Sequence, residues 1–139
     1  MPDDDQQSER GHRRRTGRRG EELAVEHLRR AGWEIVARNF TTEPGEIDII
    51  ASRPVERPAG TLIAFVEVKS RNSADALAPE LSVTARKRNT ITRVAKIFAD
   101  RHGEPGMGYR FDVISVNFAD EPASISHFEG AFDARGNPY

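Results

Sequence analysis

The chain has 139 residues, of which 37% are hydrophobic and 31% charged, so it is long enough to form one domain with a buried core. It contains no cysteine, which excludes disulfide bonds, thiolate-bound zinc and iron–sulfur clusters. No apolar run reaches the ~18 residues of a membrane span and no signal peptide is recognisable, so we expect a soluble cytoplasmic protein without membrane contacts.

The net charge of −1 conceals a strong separation of charge along the chain. Acidic first residues precede a run of arginines between residues 10 and 19, and residues 83–101 carry six cations against one acid. Basic patches of this kind attract a polyanion such as nucleic acid whatever the net charge. The alternative is an ordinary solvated helix face and a disordered arm.

The N-terminal third predicts an arm and a helix. Residues 1–16 lack apolar periodicity, so we expect a disordered, arginine-rich arm. A helix is predicted from Gly17 to Ala31, with Gly32 as its stop signal. At ~100° per residue, Glu21 falls in the middle of the apolar face. The apolar members of that face are Ala24, Val25, Leu28 and Ala31. A carboxylate on the core side of a helix is unusual, so Glu21 is a candidate site residue.

The rest of the chain alternates between strand and helix patterns. Three strands are predicted over Trp33–Asn39, Glu46–Ala51 and Thr61–Ser70, the last two separated by a polar, proline-broken loop at 52–60. After a surface loop at 71–80, a second helix is predicted from its N-cap at Thr84 to about Arg101. Its buried stripe is Ile91, Val94, Ala95 and Phe98. A strand over Tyr109–Phe118 and a weaker edge strand over Ala123–Phe128 complete the pattern.

This order, αβββαβ with an added edge strand, predicts an α/β protein with a mixed sheet flanked by two helices. We expect residues 17–129 to form a single domain and residues 130–139 to form a flexible C-terminal tail.

The second and third strands carry charge at alternate positions. Glu46 and Asp48 share one face of the second strand, because residues two apart point to the same side. Glu67 and Lys69 likewise share a face of the third strand, which is otherwise apolar on both sides, as in a buried central strand. Carboxylates in such a place cost free energy unless they bind a cation or are paired. The pattern predicts a metal site.

Two carboxylates on adjacent strands suit Mg²⁺ or Mn²⁺, which prefer oxygen ligands and keep waters for substrate phosphates. Lys69 is placed to orient an attacking water or to stabilise charge on a phosphate oxygen. Metal-assisted phosphodiester hydrolysis requires this combination of metal ligands, a positioned water and a nearby cation. An equally weighted alternative is that Lys69 pairs with Glu67 or Glu46 as a strand ion pair.

Other chemistries lack a local signature. The four histidines, at positions 12, 27, 102 and 127, lie far apart and lack metal-ligand spacing, so each is expected at the surface or in a capping role. The chain has no Gly-rich phosphate loop ending in Lys-Ser/Thr and no Gly-x-Ser-x-Gly elbow.

Several short motifs follow one another between residues 17 and 118. They are Gly17-x-x-Gly20-Glu21-x-x-Ala24, Arg38-Asn39, Gly45-Glu46-Ile47-Asp48-Ile49-Ile50-Ala51, Phe65-Val66-Glu67-Val68-Lys69-x-Arg71, Val83-Thr84-x-x-Lys87 and Arg110-Phe111-Asp112-Val113. In this order they resemble the bacterial YraN-type family. That family is largely uncharacterised and is similar to the PD-(D/E)xK nuclease superfamily, close to archaeal four-way DNA-junction resolvases.

The resemblance implies a restriction-endonuclease-like core with Asp48 and Glu67 as metal ligands and Lys69 as the residue that activates water. It also implies a catalytic-site role for Glu21, which orients the metal shell, and a basic position at Lys87. The chain departs from the superfamily pattern in three places. Ile47 replaces the proline before the first acid, the loop at 52–60 is longer than usual, and the segment after Arg71 lacks an expected aromatic–glycine pair.

The combined prediction is a Mg²⁺- or Mn²⁺-dependent endonuclease that acts on DNA, including branched DNA. Phosphate contacts are assigned to Lys87, Arg71, Arg86 and Arg88, and the resolvase-like relatives imply a homodimer. Two alternatives stay open, because one fold hosts many functions. One is a nucleic-acid-binding module of nuclease-derived fold that cuts nothing. The other is a scaffold or interaction protein whose charges form structural ion pairs.

Overall fold

A computed structural model describes residues 17–72 and 83–135 of the chain. The predicted N-terminal arm, most of the loop predicted at 71–80 and the last four residues lie outside the described residues. The helices of the described part are α1, over residues 17–30, and α2, Ala85–His102. Its strands are β1 Glu34–Thr42, β2 Gly45–Glu56, β3 Ala59–Arg71, β4 Met107–Asn117 and β5 Ser124–Phe132. Within these ranges neither helix is long and apolar enough to cross a membrane.

The strands form one mixed sheet whose spatial order equals the chain order, β1-β2-β3-β4-β5. The strand pairs are antiparallel except for β3 and β4, which are parallel. Parallel neighbours need a long crossover, and the crossover from β3 to β4 contains α2. The predicted α/β class is confirmed, with the αβββαβ order, the mixed sheet and the two helices of a restriction-endonuclease-like core.

The two helices cover opposite faces of the sheet. Leu28 of α1 lies in one apolar cluster with Ala64 of β3, whereas Phe98 of α2 lies in another cluster with Phe65. Neighbouring residues of a strand point to opposite faces, so the two clusters lie on opposite sides. Residues 63–67 of β3 are all buried, as expected for a central strand covered on both faces.

The predicted buried faces of the helices are largely confirmed. The buried residues are Ala24, Val25 and Leu28 in α1 and Ile91, Val94, Ala95 and Phe98 in α2. The prediction for Ala31 is wrong, since α1 ends at residue 30 and Ala31 is exposed in the following turn.

The proline-broken loop predicted at 52–60 is wrong. β2 continues to Glu56 and β3 begins at Ala59, so most of this segment is a paired hairpin. Proline cannot donate to a sheet ladder, which is why it is typical of strand edges. The register of β1 with β2 runs from Gly45 to Ser52, so Pro54 lies beyond it and pairs with Thr61 of β3. At the other end of the chain, β5 extends to Phe132, a core residue beyond the domain end expected at 129.

Candidate metal centre

The strands β2 and β3 diverge at one end of their hairpin. Their register pairs run from Glu56↔Ala59 to Ile49↔Val66. Beyond that point β2 continues alongside β1 to Gly45, while β3 continues alongside β4 to Arg71. We call the diverging segments, residues 45–48 and 67–71, the fork. Asp48 and Glu67 are the first residue on each side of it, so the predicted acids lie where the ladder opens.

Asp48 bridges the opening of the fork with its side chain. Its Oδ2 accepts a hydrogen bond of 2.8 Å from the backbone N–H of Val68 on the opposite strand. A carboxylate therefore accepts from an amide where the backbone ladder has ended. This contact holds the half-buried Asp48 side chain across the gap, beside Glu67.

Glu67 is buried, with 5% of its surface exposed. Its Oε1 lies 3.8 Å from the Nζ of Lys87 on α2, a long ion pair. Its Oε2 is buried and has no hydrogen-bond partner within residues 17–72 and 83–135. Most buried carboxylate oxygens are partnered, so this oxygen has capacity for a ligand that the described protein atoms do not fill.

The cations near Glu67 do not fully compensate for its burial and for the charge of Asp48. Burial and, second, the negative charge of Asp48 raise the pKa of Glu67 to about 8. Lys87 and Lys69 offset only part of this effect. The Glu67 carboxyl therefore keeps its proton to higher pH than an ordinary glutamate does in the metal-free protein. A divalent cation between Asp48 and Glu67 would favour the ionised form.

Asp48 also belongs to a second group of acids. One carboxylate oxygen from each of Glu21, Glu46 and Asp48 lies within 4.8 Å of the other two. Burial and, second, the charge of Asp48 raise the pKa of Glu21. Asp48 is thus shared between Glu67 and the pair Glu21 and Glu46. All of these side chains offer oxygen, the ligand atom that Mg²⁺ and Mn²⁺ prefer.

Glu46 is a residue that the sequence-based site omitted. The signal was present, because Glu46 and Asp48 are two residues apart on one strand and so share a face. The helical period had already placed Glu21 of α1 towards the sheet, and the structure brings its carboxylate to the same acids.

Two glycines next to these acids lie in close contact with neighbouring elements. A side chain at Gly20, next to Glu21, would bring its Cβ to 1.9 Å from the Oγ of Ser70 on β3. A side chain at Gly45, next to Glu46, would bring its Cβ to 2.3 Å from the Cγ2 of Thr90 on α2. Each acid therefore follows a position where the backbone packs directly against a neighbouring element.

The predicted cationic residues occupy different positions around the fork. Lys87 and Lys69 both act electrostatically on Glu67, so they belong to the centre. Lys87 lies in the first turn of α2, where its N–H donates to the N-cap hydroxyl of Thr84. The three arginines have other surroundings. Arg86 is exposed in the same turn, Arg88 donates to the carbonyl of Val83, and Arg71 is half-buried at the end of β3.

Comparison with known proteins places the chain in a family. The model of "Uncharacterised protein family UPF0102" matches residues 20–116, a segment that includes all the acids of the centre. A UPF0102 protein of Anaeromyxobacter sp. (strain Fw109-5) is 37% identical over 134 residues, which cover 96% of each chain. A UPF0102 protein of Desulfosudis oleivorans is 41% identical over 122 residues, covering 88% of this chain and 93% of the relative. Another, from Caldicellulosiruptor saccharolyticus, is 40% identical over 122 residues, or 86% and 98% of the two chains. The resemblance to the YraN-type family is thereby confirmed, and the chain belongs to the uncharacterised family UPF0102.

Proposed function

We propose that this protein is a metal-dependent endonuclease that hydrolyses phosphodiester bonds in DNA, including branched DNA. One observation carries the proposal: Asp48 and Glu67 meet at the fork, and a buried oxygen of Glu67 has no partner within the described ranges. Buried carboxylates without matching cations cost stability, so their presence favours a role in binding. The resemblance to PD-(D/E)xK nucleases at the same residues supports the same reaction.

The residues have distinct roles in this proposal. Asp48 and Glu67 would hold a Mg²⁺ or Mn²⁺ ion, which supplies Lewis-acid activation of a phosphate and of its attacking water. Lys69 shares a face of β3 with Glu67 and orients that water. Glu21, whose pKa is raised by burial first and then by Asp48, positions the metal shell from α1.

Substrate binding is assigned to the start of α2. Arg86, Lys87 and Arg88 are consecutive there, at the helix end next to Glu67. Arg71, at the end of β3, lies on the other side of the connection to α2. Cations beside a carboxylate metal centre offset its negative charge and attract phosphates. A DNA backbone is therefore the polyanion we propose, with a homodimer as the cleaving unit.

The test is cleavage of labelled linear, flap and four-way DNA by full-length protein in Mg²⁺, Mn²⁺ or EDTA. We expect cleavage with either metal and none in EDTA. Asp48→Asn and Glu67→Gln should each lower the rate by at least about 100-fold, because they remove proposed ligands. Asp100→Asn, an exposed acid of α2, is the matched control and should leave the rate unchanged.

The same experiment separates the alternative, a nucleic-acid-binding module. DNA binding by the wild type without cleavage of any substrate in any metal would establish that alternative. Cleavage that persists undiminished in Asp48→Asn and Glu67→Gln would contradict the assignment of the centre. Binding itself should strengthen in Asp48→Asn, because a negative charge facing phosphate is removed.

A further inference from the structure

A second cluster of titratable side chains lies on β4 and β5, on the face that α1 covers. At its base is Asp112, which is fully buried. Arg110 donates from its Nε and Nη2 to the two carboxylate oxygens, at 2.8 and 2.9 Å. The N–H of Gly130 donates to Oδ1 at 3.0 Å. Asp112 is therefore an ionised hydrogen-bond acceptor.

His127 of β5 is oriented by this carboxylate. Its Nε2 lies 2.8 Å from Oδ2 of Asp112. An ionised carboxylate only accepts, so Nε2 must carry the hydrogen. In the neutral imidazole the other nitrogen, Nδ1, then has a free lone pair. The buried Asp112 thus sets the tautomer of His127 and leaves Nδ1 available as a ligand atom.

His27 of α1 meets that free nitrogen. Its Nε2 lies 3.2 Å from Nδ1 of His127, and the ring centroids are 5.3 Å apart at an interplanar angle of 73°. Two nitrogens that share a tetrahedral Zn²⁺ ion, each bonded at 2.0–2.1 Å, lie about 3.3 Å apart. The backbone of α1 and β5 therefore already holds the two imidazoles at the separation that a common ion needs.

We propose that His27 Nε2 and His127 Nδ1 form a binding site for a divalent transition-metal ion of the Zn²⁺ class, with Asp112 as the outer carboxylate. Metal-bound histidines usually donate their other N–H to a carboxylate, which fixes the ring and raises its basicity. His127 has this arrangement. In the metal-free protein the same gap is spanned by a hydrogen bond from His27 to His127. Two protein ligands leave further coordination positions, which water would fill; the His127 side chain is 11% exposed.

This site differs from the carboxylate centre in chemistry and position. Its ligands lie on α1 and β5 rather than on β2 and β3, and they are nitrogens rather than oxygens. Imidazole favours Zn²⁺, Ni²⁺ and Cu²⁺, whereas carboxylate sites favour Mg²⁺ and Mn²⁺. The expectation that each of these two histidines lies at the surface or in a capping role is wrong, because their rings contact each other in a part-buried position. They are 100 residues apart in sequence, beyond the reach of any spacing motif.

The test is a calorimetric titration of tag-free, metal-free, full-length protein with Zn²⁺ in excess Mg²⁺, which occupies the oxygen ligands and leaves imidazoles free. We expect one Zn²⁺ bound per chain. His27→Gln keeps an N–H donor for His127 but removes the imidazole, and should weaken Zn²⁺ binding at least tenfold. His102→Gln, at the exposed end of α2, is the matched control and should bind like the wild type.

A second measurement needs no variant. In the wild type, Zn²⁺ should shift the ¹⁵N resonance of His127 Nδ1 while Nε2 stays protonated against Asp112. Unchanged Zn²⁺ affinity in His27→Gln, or a wild type whose His127 Nδ1 resonance does not move, would overturn the proposal. The cluster would then be a hydrogen-bond chain that joins α1 to β5. Neither result depends on whether the protein cleaves DNA.

Discussion

Asp112 and Glu67 are buried carboxylates from adjacent register pairs of β3 and β4, yet their surroundings are opposite. Asp112 accepts hydrogen bonds from Arg110, His127 and Gly130, and its pKa is held below the usual value. Glu67 has one cation at 3.8 Å and an unpartnered oxygen within the described chain, and its pKa is raised to about 8. Burial alone therefore does not identify a functional carboxylate. The balance of partners does, and it separates a structural acid from a candidate ligand.

The largest expected effect is on stability. Asp112→Asn leaves Arg110 without its buried partner and should lower the free energy of unfolding by about 3–5 kcal/mol. Glu67→Gln removes a carboxyl group whose charged form is already disfavoured by burial, so the change should stay within about 1 kcal/mol. Urea denaturation of both variants in EDTA at pH 7 measures the difference. Equal losses of unfolding free energy in the two variants would show that the hydrogen-bond partners of the two carboxylates do not determine their contributions to stability.

Mg²⁺ should raise the stability of the folded protein through the acids of the fork. Mg²⁺ at 100 times its dissociation constant should stabilise the wild type by about 2.7 kcal/mol, since it binds the folded state. Asp48→Asn should lose this stabilisation, while the exposed control Asp100→Asn should keep it. Thermal unfolding with and without Mg²⁺ is the measurement. A wild type whose midpoint is indifferent to Mg²⁺ would contradict the metal centre at the fork.

The two carboxylates should give opposite pH dependences. The pKa of Glu67 is 4.5 when unfolded and about 8 when folded, so between these values the folded state retains a proton that the unfolded state has released. Its contribution is fully present below pH 4.5 and is lost as pH rises through 8, at no more than about 1.4 kcal/mol per pH unit. Asp112 contributes above its unfolded value of 3.8 and loses that contribution as pH falls. Urea denaturation from pH 4.5 to 8.5 should show that Glu67→Gln removes the downward trend. If the unfolding free energies of the wild type and of Glu67→Gln changed in parallel with pH, the raised pKa of Glu67 would be excluded.

The smallest expected effect concerns the cations near each end of α2. Arg86→Ala should lower the slope of log affinity against log salt for DNA by about 1, because each phosphate contact releases about one counterion. Arg101→Ala, in the last turn of the same helix, should leave the slope unchanged. Fluorescence anisotropy in EDTA at several salt concentrations tests both. Equal changes in the two variants would indicate diffuse attraction instead of contacts beside Glu67.

Sequence patterns predicted one of these regions and missed the other. Alternation along β2 and β3 was sufficient to place Asp48 and Glu67 on neighbouring strands, and the helical period placed Glu21 towards the sheet. Both are local periodicities. The contact of His27 with His127 depends on the strand order, which puts β5 beside β4, and the hydrogen bond from Gly130 to Asp112 lies at the irregular register between Phe111 and Val113. No local pattern contains that information.

The hairpin length was mispredicted for a related reason. Pro54 was treated as a strand breaker, but β2 has lost its β1 neighbour before that residue. A proline is tolerated in a strand where no neighbouring strand needs its missing N–H. The neighbours of a residue are set by the whole sheet, so the local sequence does not show them. Glu46 was passed over although its signal was local, since it lies two residues before Asp48 and shares its face; what joins this pair to Glu21 is the packing of α1 on the sheet.

The register of the sheet also has a consequence for the order of folding. Asp48 and Val68 are 20 residues apart and joined by a hairpin, whereas His27 and His127 are 100 residues apart. Short loops close at a lower entropic cost than long ones, so we expect the β2–β3 hairpin to form before β5 docks. The fork would then bring Asp48 and Glu67 together early in folding, and the β5 cluster would complete the domain last. Pulse-labelling hydrogen exchange should find the Val68 amide protected before that of Gly130, and the reverse order would reject this sequence of events.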